Sequence, residues 1–235
     1  MKHQVILREF RPQDTDALAD IIRITWGYDK FGSHETACKL ARAYLDLCLT
    51  NQTYTQVAIV DGVPVGIIMG KNIREHKCPE QLSIRQKQSM EDLCATQEGR
   101  DAAEFYKTIS EIDDALLKQC EKTYQGEVAF FVVNAEYRGL GIGGKLFDAV
   151  LSYMKQEEIH DFYLFTDTSC NYSFYEYKGM KRQQVIKHQF TVQGKSFEFD
   201  FFYMITIGNH VVFYIFCLYF TNQNRIIFNK RRICQ

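Results

Sequence analysis

A glycine-dense junction at residues 132–147, VVNAEYRGLGIGGKLF, constrains this chain more than any other stretch. An apolar run ends at Val133, Gly139, Gly141, Gly143 and Gly144 follow within six residues, and apolar residues with helical spacing resume at Leu146. Glycine lets the backbone turn tightly and approach a ligand, and the first N–H groups of a helix carry partial positive charge. A strand, a glycine loop and a helix in that order therefore make a seat for a phosphate or pyrophosphate. The stretch alone leaves open which one.

The rest of the chain supplies enough sequence to build a domain around that seat. Its 235 residues are 46% hydrophobic and 24% charged with three prolines, which suits one folded domain plus additions rather than a disordered chain. A net charge of −1 gives no basic surplus for a general nucleic-acid binder. The eight cysteines form no C-x-x-C pair and no zinc-spaced cluster with histidine, so no metal site is expected and a reducing compartment is. The first residues, MKHQVILREFRPQD, lack an apolar leader, and the expected location is the cytoplasm.

Taken in order, residues 5–10 read as a strand, and Asp14 reads as the N-cap of a helix with Leu18, Ile21, Ile22 and Trp26 on one face. Ser33 can cap a second helix, with Leu40, Tyr44 and Cys48 on its apolar stripe. Asp61-Gly62 between two β-branched runs predicts a hairpin. Residues 71–125 turn polar and helical, with Phe105, Ile109, Ile112, Leu116 and Cys120 on one face, and form an insertion between the third and fourth strands. Between Glu91 and Glu121, acidic residues outnumber basic ones nine to three. That excess is either a solvated helix face or a surface that attracts a cation.

Residues 127–133 then form the strand feeding the glycine loop, Phe147, Val150, Leu151 and Met154 the core face of the next helix, and residues 162–166 another strand. Phe174 and Tyr175 suit a short helix ending near Gly179. A last hairpin runs over 184–192 and 196–204 with its turn at Gln193-Gly194-Lys195, where Phe197, Phe199 and Phe201 alternate with acids and predict one buried face. Residues 205–235 break the pattern with an apolar run and a basic cluster, too short for an ordinary membrane span. This extension either packs on the core or contacts a partner, rests on a membrane surface, or has no folded role.

Three loops fit the glycines. Gly139, Gly141 and Gly144 satisfy the dinucleotide pattern G-x-G-x-x-G, but Asn134 to Arg138 separate them from the strand, which that fold does not allow for. Gly139, Gly144 and Lys145 satisfy most of a Walker loop, yet Leu146 stands where a hydroxyl must hold magnesium. The third reading uses Arg138 as well. Arg138-Gly139-Leu140-Gly141-Ile142-Gly143 matches R/Q-x-x-G-x-G/A, and Asn171, Phe174-Tyr175 and Gly179-Met180 follow downstream. In these two motifs the chain resembles the GNAT superfamily of acyl-CoA-dependent N-acyltransferases over residues 5–204. Ala135 stands where many relatives have proline, and Met180 replaces a usual phenylalanine.

The resemblance implies an α/β fold of the α+β kind: a mixed, mostly antiparallel central sheet flanked by helices. It implies acetyl-CoA as acyl donor, with the backbone of Arg138, Gly139, Gly141, Ile142, Gly143 and Gly144 around the pyrophosphate and no metal. It also implies that Phe131, Val132 and Val133 pair with the pantetheine arm, that Asn171 belongs to the cofactor site, and that a primary amine attacks the thioester directly. By the same resemblance Tyr175 is the acid for the departing thiolate, against a packed core tyrosine, and Glu127 is the candidate base, against a solvated charge or deprotonation through water. Cys170 is expected to be an idle thiol. The alternative function is a CoA-binding sensor without turnover. The expected partner is a small-molecule or protein amine and not nucleic acid, with a homodimer and the identity of the amine left open.

Overall fold

Every second residue of the central strands turns to the opposite face, and both faces are apolar. Val57 and Ile59 join one buried cluster while Ala58 and Val60 join another, so the sheet must be covered on both sides. The structure, a computed structural model, describes residues 4–192 and 195–206. In chain order its elements are β1 (Val5–Arg8), α1 (Thr15–Trp26), α2 (His34–Thr50), β2 (Tyr54–Val60) and β3 (Val63–Asn72). The insertion follows as α3 (Glu80–Cys94) and α4 (Gln97–Lys118). Then come β4 (Gly126–Val133), α5 (Ile142–Gln156), β5 (Phe162–Asp167), α6 (Ser173–Tyr177), β6 (Lys181–Val192) and β7 (Lys195–Ile205).

The strands form a seven-stranded sheet in the order β1-β2-β3-β4-β5-β7-β6. All neighbours are antiparallel except β4 and β5, which α5 connects as a parallel pair. The fold is thus the mixed, mostly antiparallel sheet with flanking helices that the sequence predicts, with two helices between β3 and β4. One core lies between the sheet and α1 and α2, where Leu18, Ile22, Leu45 and Leu49 are sealed from solvent. The opposite core holds Leu146, Phe147, Val150 and Met154 of α5. A third cluster joins Ile112 and Leu116 of α4 to Phe190, Phe201 and Tyr203 of the last hairpin.

Two irregularities of β4 shape what lies beside it. Met69 pairs with Phe130 and Gly70 with Val128, so Ala129 is an extra residue and the strand is bulged there. The bulge switches the side-chain phase: Phe130 and Val132 join the α1–α2 core, whereas Val128 joins the α5 core. The second irregularity is on the other edge. Only Gly126 and Glu127 pair with β5, opposite Phe162 and Tyr163. Beyond Glu127 the two strands part, and the later β4 backbone faces a gap.

Several sequence expectations change in detail. Asp14 does not cap α1 with its side chain. Its carboxylate instead accepts from the Arg11 backbone N–H at 2.8 Å and from both terminal nitrogens of Arg8 at 2.7 Å, and residues Pro12–Asp14 form a 3₁₀ turn ahead of the helix. Ser33 does cap α2, accepting from Thr36 N–H at 3.2 Å. β3 runs on to Asn72, so the insertion starts later than residue 71. β6 begins at Lys181 rather than 184, because the strand continues through a register shift between Gln183 and Ile186 in which Gln184 has a φ of 32°. The face of Phe197, Phe199 and Phe201 is graded rather than evenly buried, from 37% exposed at Phe197 to 4% at Phe201. On the opposite face of β7, Phe202 and Met204 are sealed in the α5 core. Residues 193 and 194 of the expected turn, and the extension from 207 to 235, lie outside the described residues. Among the described residues no helix is long and apolar enough to cross a membrane.

Candidate active site

The glycine junction folds as a strand, a single 3₁₀ turn over Ala135–Tyr137, and the start of α5. Asn134 steadies the turn by accepting from Glu136 N–H at 3.0 Å. Gly139 (φ 85°) and Gly141 (φ 70°) occupy the left-handed region that a side chain resists, and Gly141 is the N-cap of α5. The first intrahelical bond of α5 runs from Lys145 N–H to Gly141 C=O at 3.1 Å. The N–H groups of Ile142, Gly143 and Gly144 thus precede the helical ladder and are free to meet an anion. A side chain at Gly144 would meet nothing within 4 Å, so this face of the loop is open. Leu146, the residue that would have to hold magnesium in a Walker loop, is fully buried in the α5 core.

The open face looks into a cleft of about 1420 Å³. Phe131, Val132 and Val133, Arg138, the four loop glycines, Ile142, Asn171 and Tyr175 all line it. The donor-site residues expected from the sequence therefore converge on one cavity at the point where β4 and β5 part. Such a loop and strand edge fit a CoA-like molecule: helix N–H groups for a pyrophosphate and unpaired strand backbone for an extended amide chain.

Tyr175 sits on α6, with its ring 6.4 Å from Phe131, 5.9 Å from Phe147 and 5.5 Å from Phe174. Burial, and then the neighbouring Cys170, raise its pKa, so its O–H stays protonated through neutral pH. Cys170 is itself raised, first by burial and then by Asp167, and remains a thiol rather than a nucleophilic thiolate. Asn171 is exposed and accepts from Ser173 Oγ at 2.8 Å.

Glu127 is a different case. It is 8% exposed and not a solvated charge, because the start of β4 is covered there by the end of α2. Asn51 Nδ2 lies 3.5 Å and Lys71 Nζ 3.9 Å from its carboxylate. Burial raises its pKa, opposed by Lys71, Asn51 and Tyr163. It does not line the cleft. Nearby, Asp113 of α4 is pushed up to about 8 by burial and then by the charges of Glu127, Asp167 and Asp114.

The far half of the cleft comes from separate segments. The end of α1 with the loop after it and the insertion contribute through Trp26, Tyr28 and Phe31 and through Phe105 and Tyr106. Of the acidic residues in the insertion, Glu98, Asp101 and Glu104 line the cleft. Tyr44 of α2, Asp167 at the end of β5, and Phe190 and Phe199 of the last hairpin are lining residues that the sequence reading missed. The alternating phenylalanines of β7 were the one signal that pointed there.

The comparisons with known proteins agree with this geometry. Residues 16–180 match the Acetyltransferase (GNAT) family model. No curated protein matches the chain significantly. Among solved structures, a protein provisionally assigned as a phosphinothricin N-acetyltransferase superposes with a TM-score of 0.52 at 14% identity, over 88% of this chain and 100% of that one. PH1933 of Pyrococcus horikoshii OT3 gives 0.50 at 16% identity, over 88% and 100%. The PaiA N-acetyltransferase of Thermoplasma acidophilum, solved in complex with coenzyme A, gives 0.48 at 15%, over 86% and 98%. At these identities the likeness to the first two is one of fold. With the family model spanning most of the chain and both signature motifs meeting in one cleft, the chain belongs to the GNAT family of acetyltransferases, which use acetyl-CoA.

Proposed function

We propose that this chain is an N-acetyltransferase that moves the acetyl group of acetyl-CoA to a primary amine by direct attack, with no covalent enzyme intermediate. One observation carries the reading: the anion seat at Arg138–Gly144 and the Tyr175 ring line the same cleft, beside the unpaired edge of β4. In this reading the N–H groups at the start of α5 hold the pyrophosphate and the edge of β4 aligns the pantetheine arm. A β4 N–H polarises the thioester carbonyl as negative charge builds on its oxygen. Tyr175 O–H donates to the departing thiolate. The amine must lose a proton to attack, and that proton leaves through water; Glu127 can assist only through such a chain because it stands behind the wall of the cleft.

Measuring CoA thiol release with the Tyr175→Phe variant tests the reading. The expected result is a fall in kcat of roughly 10²–10⁴, the usual worth of a positioned acid, with acetyl-CoA affinity nearly unchanged. Full activity would remove Tyr175 from the mechanism. Binding of CoA with no turnover on any amine, in the unmutated chain, would favour a CoA-binding sensor instead.

A further inference from the structure

The half of the cleft beyond Phe131 has a chemical character that narrows the amine. Trp26 stacks on Phe130 with centroids 5.9 Å apart and planes 27° from parallel, and Tyr44 lies 5.7 Å from Phe130 and 4.9 Å from Tyr106. Phe105 of α4 continues this set of rings, lying 5.7 Å from Tyr106 and meeting Phe190 of β6 at 4.4 Å. Phe31 and Phe197 touch edge to face at 6.1 Å, joining the loop after α1 to the last hairpin. The Tyr28 and Tyr106 hydroxyls hydrogen-bond to each other, so that pair is already satisfied. These rings hold one another in place, and the pocket they wall is formed before any ligand arrives.

Charge selects further. Four carboxylates line the cleft: Glu98, Asp101, Glu104 and Asp167. Glu98 is tied to Ser33 and Thr36, and Glu104 pairs with Lys107 at 3.0 Å. Asp167 accepts from Ser169 N–H at 2.6 Å and has no cationic partner among the described residues. Among the described residues that line the cleft, the single cation is Arg138, and it belongs to the phosphate loop on the donor side. A carboxylate or phosphate on the acceptor would lose its water beside aromatic rings and acidic neighbours with nothing to pair with. An ammonium would be drawn in by both the carboxylates and the ring faces.

We propose that the acceptor is a primary amine carried on an aromatic or similarly bulky apolar body and free of acidic groups. This rests on the N-acetyltransferase reading above and names its substrate class. An amino acid, whose carboxylate stands beside its amine, is rejected by the same features, and a small alkylamine leaves the ring-walled space unfilled.

The test uses the full chain with acetyl-CoA and three amines: 2-phenylethylamine, phenylalanine and n-propylamine. Thiol release gives kcat/KM for each, and the Tm with and without CoA reports the donor half separately. The expected kcat/KM for 2-phenylethylamine exceeds that for phenylalanine by about 100-fold or more, the cost of an unpaired buried charge. It exceeds that for n-propylamine by roughly 10- to 100-fold, the worth of burying the ring. In Phe105→Leu, a change that keeps an apolar side chain of similar reach, the preference for 2-phenylethylamine over n-propylamine should shrink while CoA still raises the Tm. Equal or better turnover of phenylalanine or n-propylamine overturns the inference, as does CoA binding with no turnover of any of the three. Failure of CoA to raise the Tm overturns the underlying function, and the acceptor class with it.

Discussion

The two halves of the cleft are built from different material. In the proposed reading the donor half is mainly backbone from one continuous stretch, the end of β4, a 3₁₀ turn and the first N–H groups of α5, all within Phe131–Gly144, with Asn171 and Tyr175 added from the segment around α6. The acceptor half is side chains gathered from α1, α2, α4, the end of β5 and the last hairpin. A backbone site depends on a few dihedral angles and serves any molecule with the right phosphate. A side-chain site depends on the docking of separate elements and can differ in chemistry while the fold stays the same. Damage to the two halves should therefore look different, in affinity for the donor on one side and in the amine accepted on the other.

The largest effect is expected where the acceptor half is fastened to the body. Asp46 of α2 is 2% exposed and pairs with Arg85 of α3 at 2.5 Å, while Arg85 also donates to Thr15 at 3.0 Å. Arg42 lies 3.5 Å from the same carboxylate and is the only other cation paired with it among the described residues. Arg85→Met leaves a buried charge with that weaker partner, and the loss of one partner of a buried pair costs about 3–5 kcal/mol. The low end is expected because Arg42 remains. Thermal melts should show the drop, and the KM for the amine should rise more than the Kd for CoA. A melt unchanged by the substitution would show that α3 and α4 are not held by this pair.

A smaller effect on folding, but one felt by every amine, is expected in the donor half. Gly141 carries a φ of 70° and a Cβ added there would meet nothing within 4 Å, so the cost of Gly141→Val is first conformational. A left-handed β-branched residue costs about 1–2 kcal/mol, and any rearrangement that relieves it turns the α5 N–H groups away from the anion. CoA binding should weaken about tenfold or more, with the ranking of amines unchanged. If instead the ranking changed and CoA binding did not, the division between the halves would be wrong.

The same division explains what could be read from the sequence. Arg138, the glycines, Asn171 and Tyr175 were legible because each motif is local: the spacing of residues along the chain already sets the loop. Tyr44, Phe105 and Phe190 were not, since an aromatic residue on an apolar stripe has the same pattern whether it fills a core or walls a cleft. Tyr44 does both, touching Phe130 on the sheet and lining the cavity. Asp14 shows the limit at short range, where a capping residue was recognised but its carboxylate found a stronger partner in Arg8. Glu127 shows it at long range. Its place at the start of β4 suggested solvent, and only the packing of Asn51 and Lys71 over that strand end makes it buried.

The smallest expected effect concerns the seam where α4 meets α2, and it depends on pH. Glu98 accepts from Ser33 N–H at 2.7 Å, from Ser33 Oγ at 2.6 Å and from Thr36 Oγ1 at 2.6 Å, which joins the first turn of α4 to the first turn of α2. These bonds, led by that from the Ser33 side chain, hold the Glu98 pKa below the ordinary carboxylate value. A carboxyl group whose pKa is lower in the folded state binds fewer protons there than in the unfolded chain, so its contribution is complete above the ordinary value of 4.5 and fades as the pH falls through the lowered one. Glu98→Gln should therefore lower the Tm slightly at pH 7, and the gap from the unmutated chain should close as the solution is acidified below pH 4.5. Because Glu98 faces the cleft from the acceptor side, the substitution should also raise the KM for a cationic amine modestly and leave CoA binding as it was. A Tm difference that persists unchanged in acid would mean that the substitution acts through shape rather than charge, and that this seam is not held electrostatically.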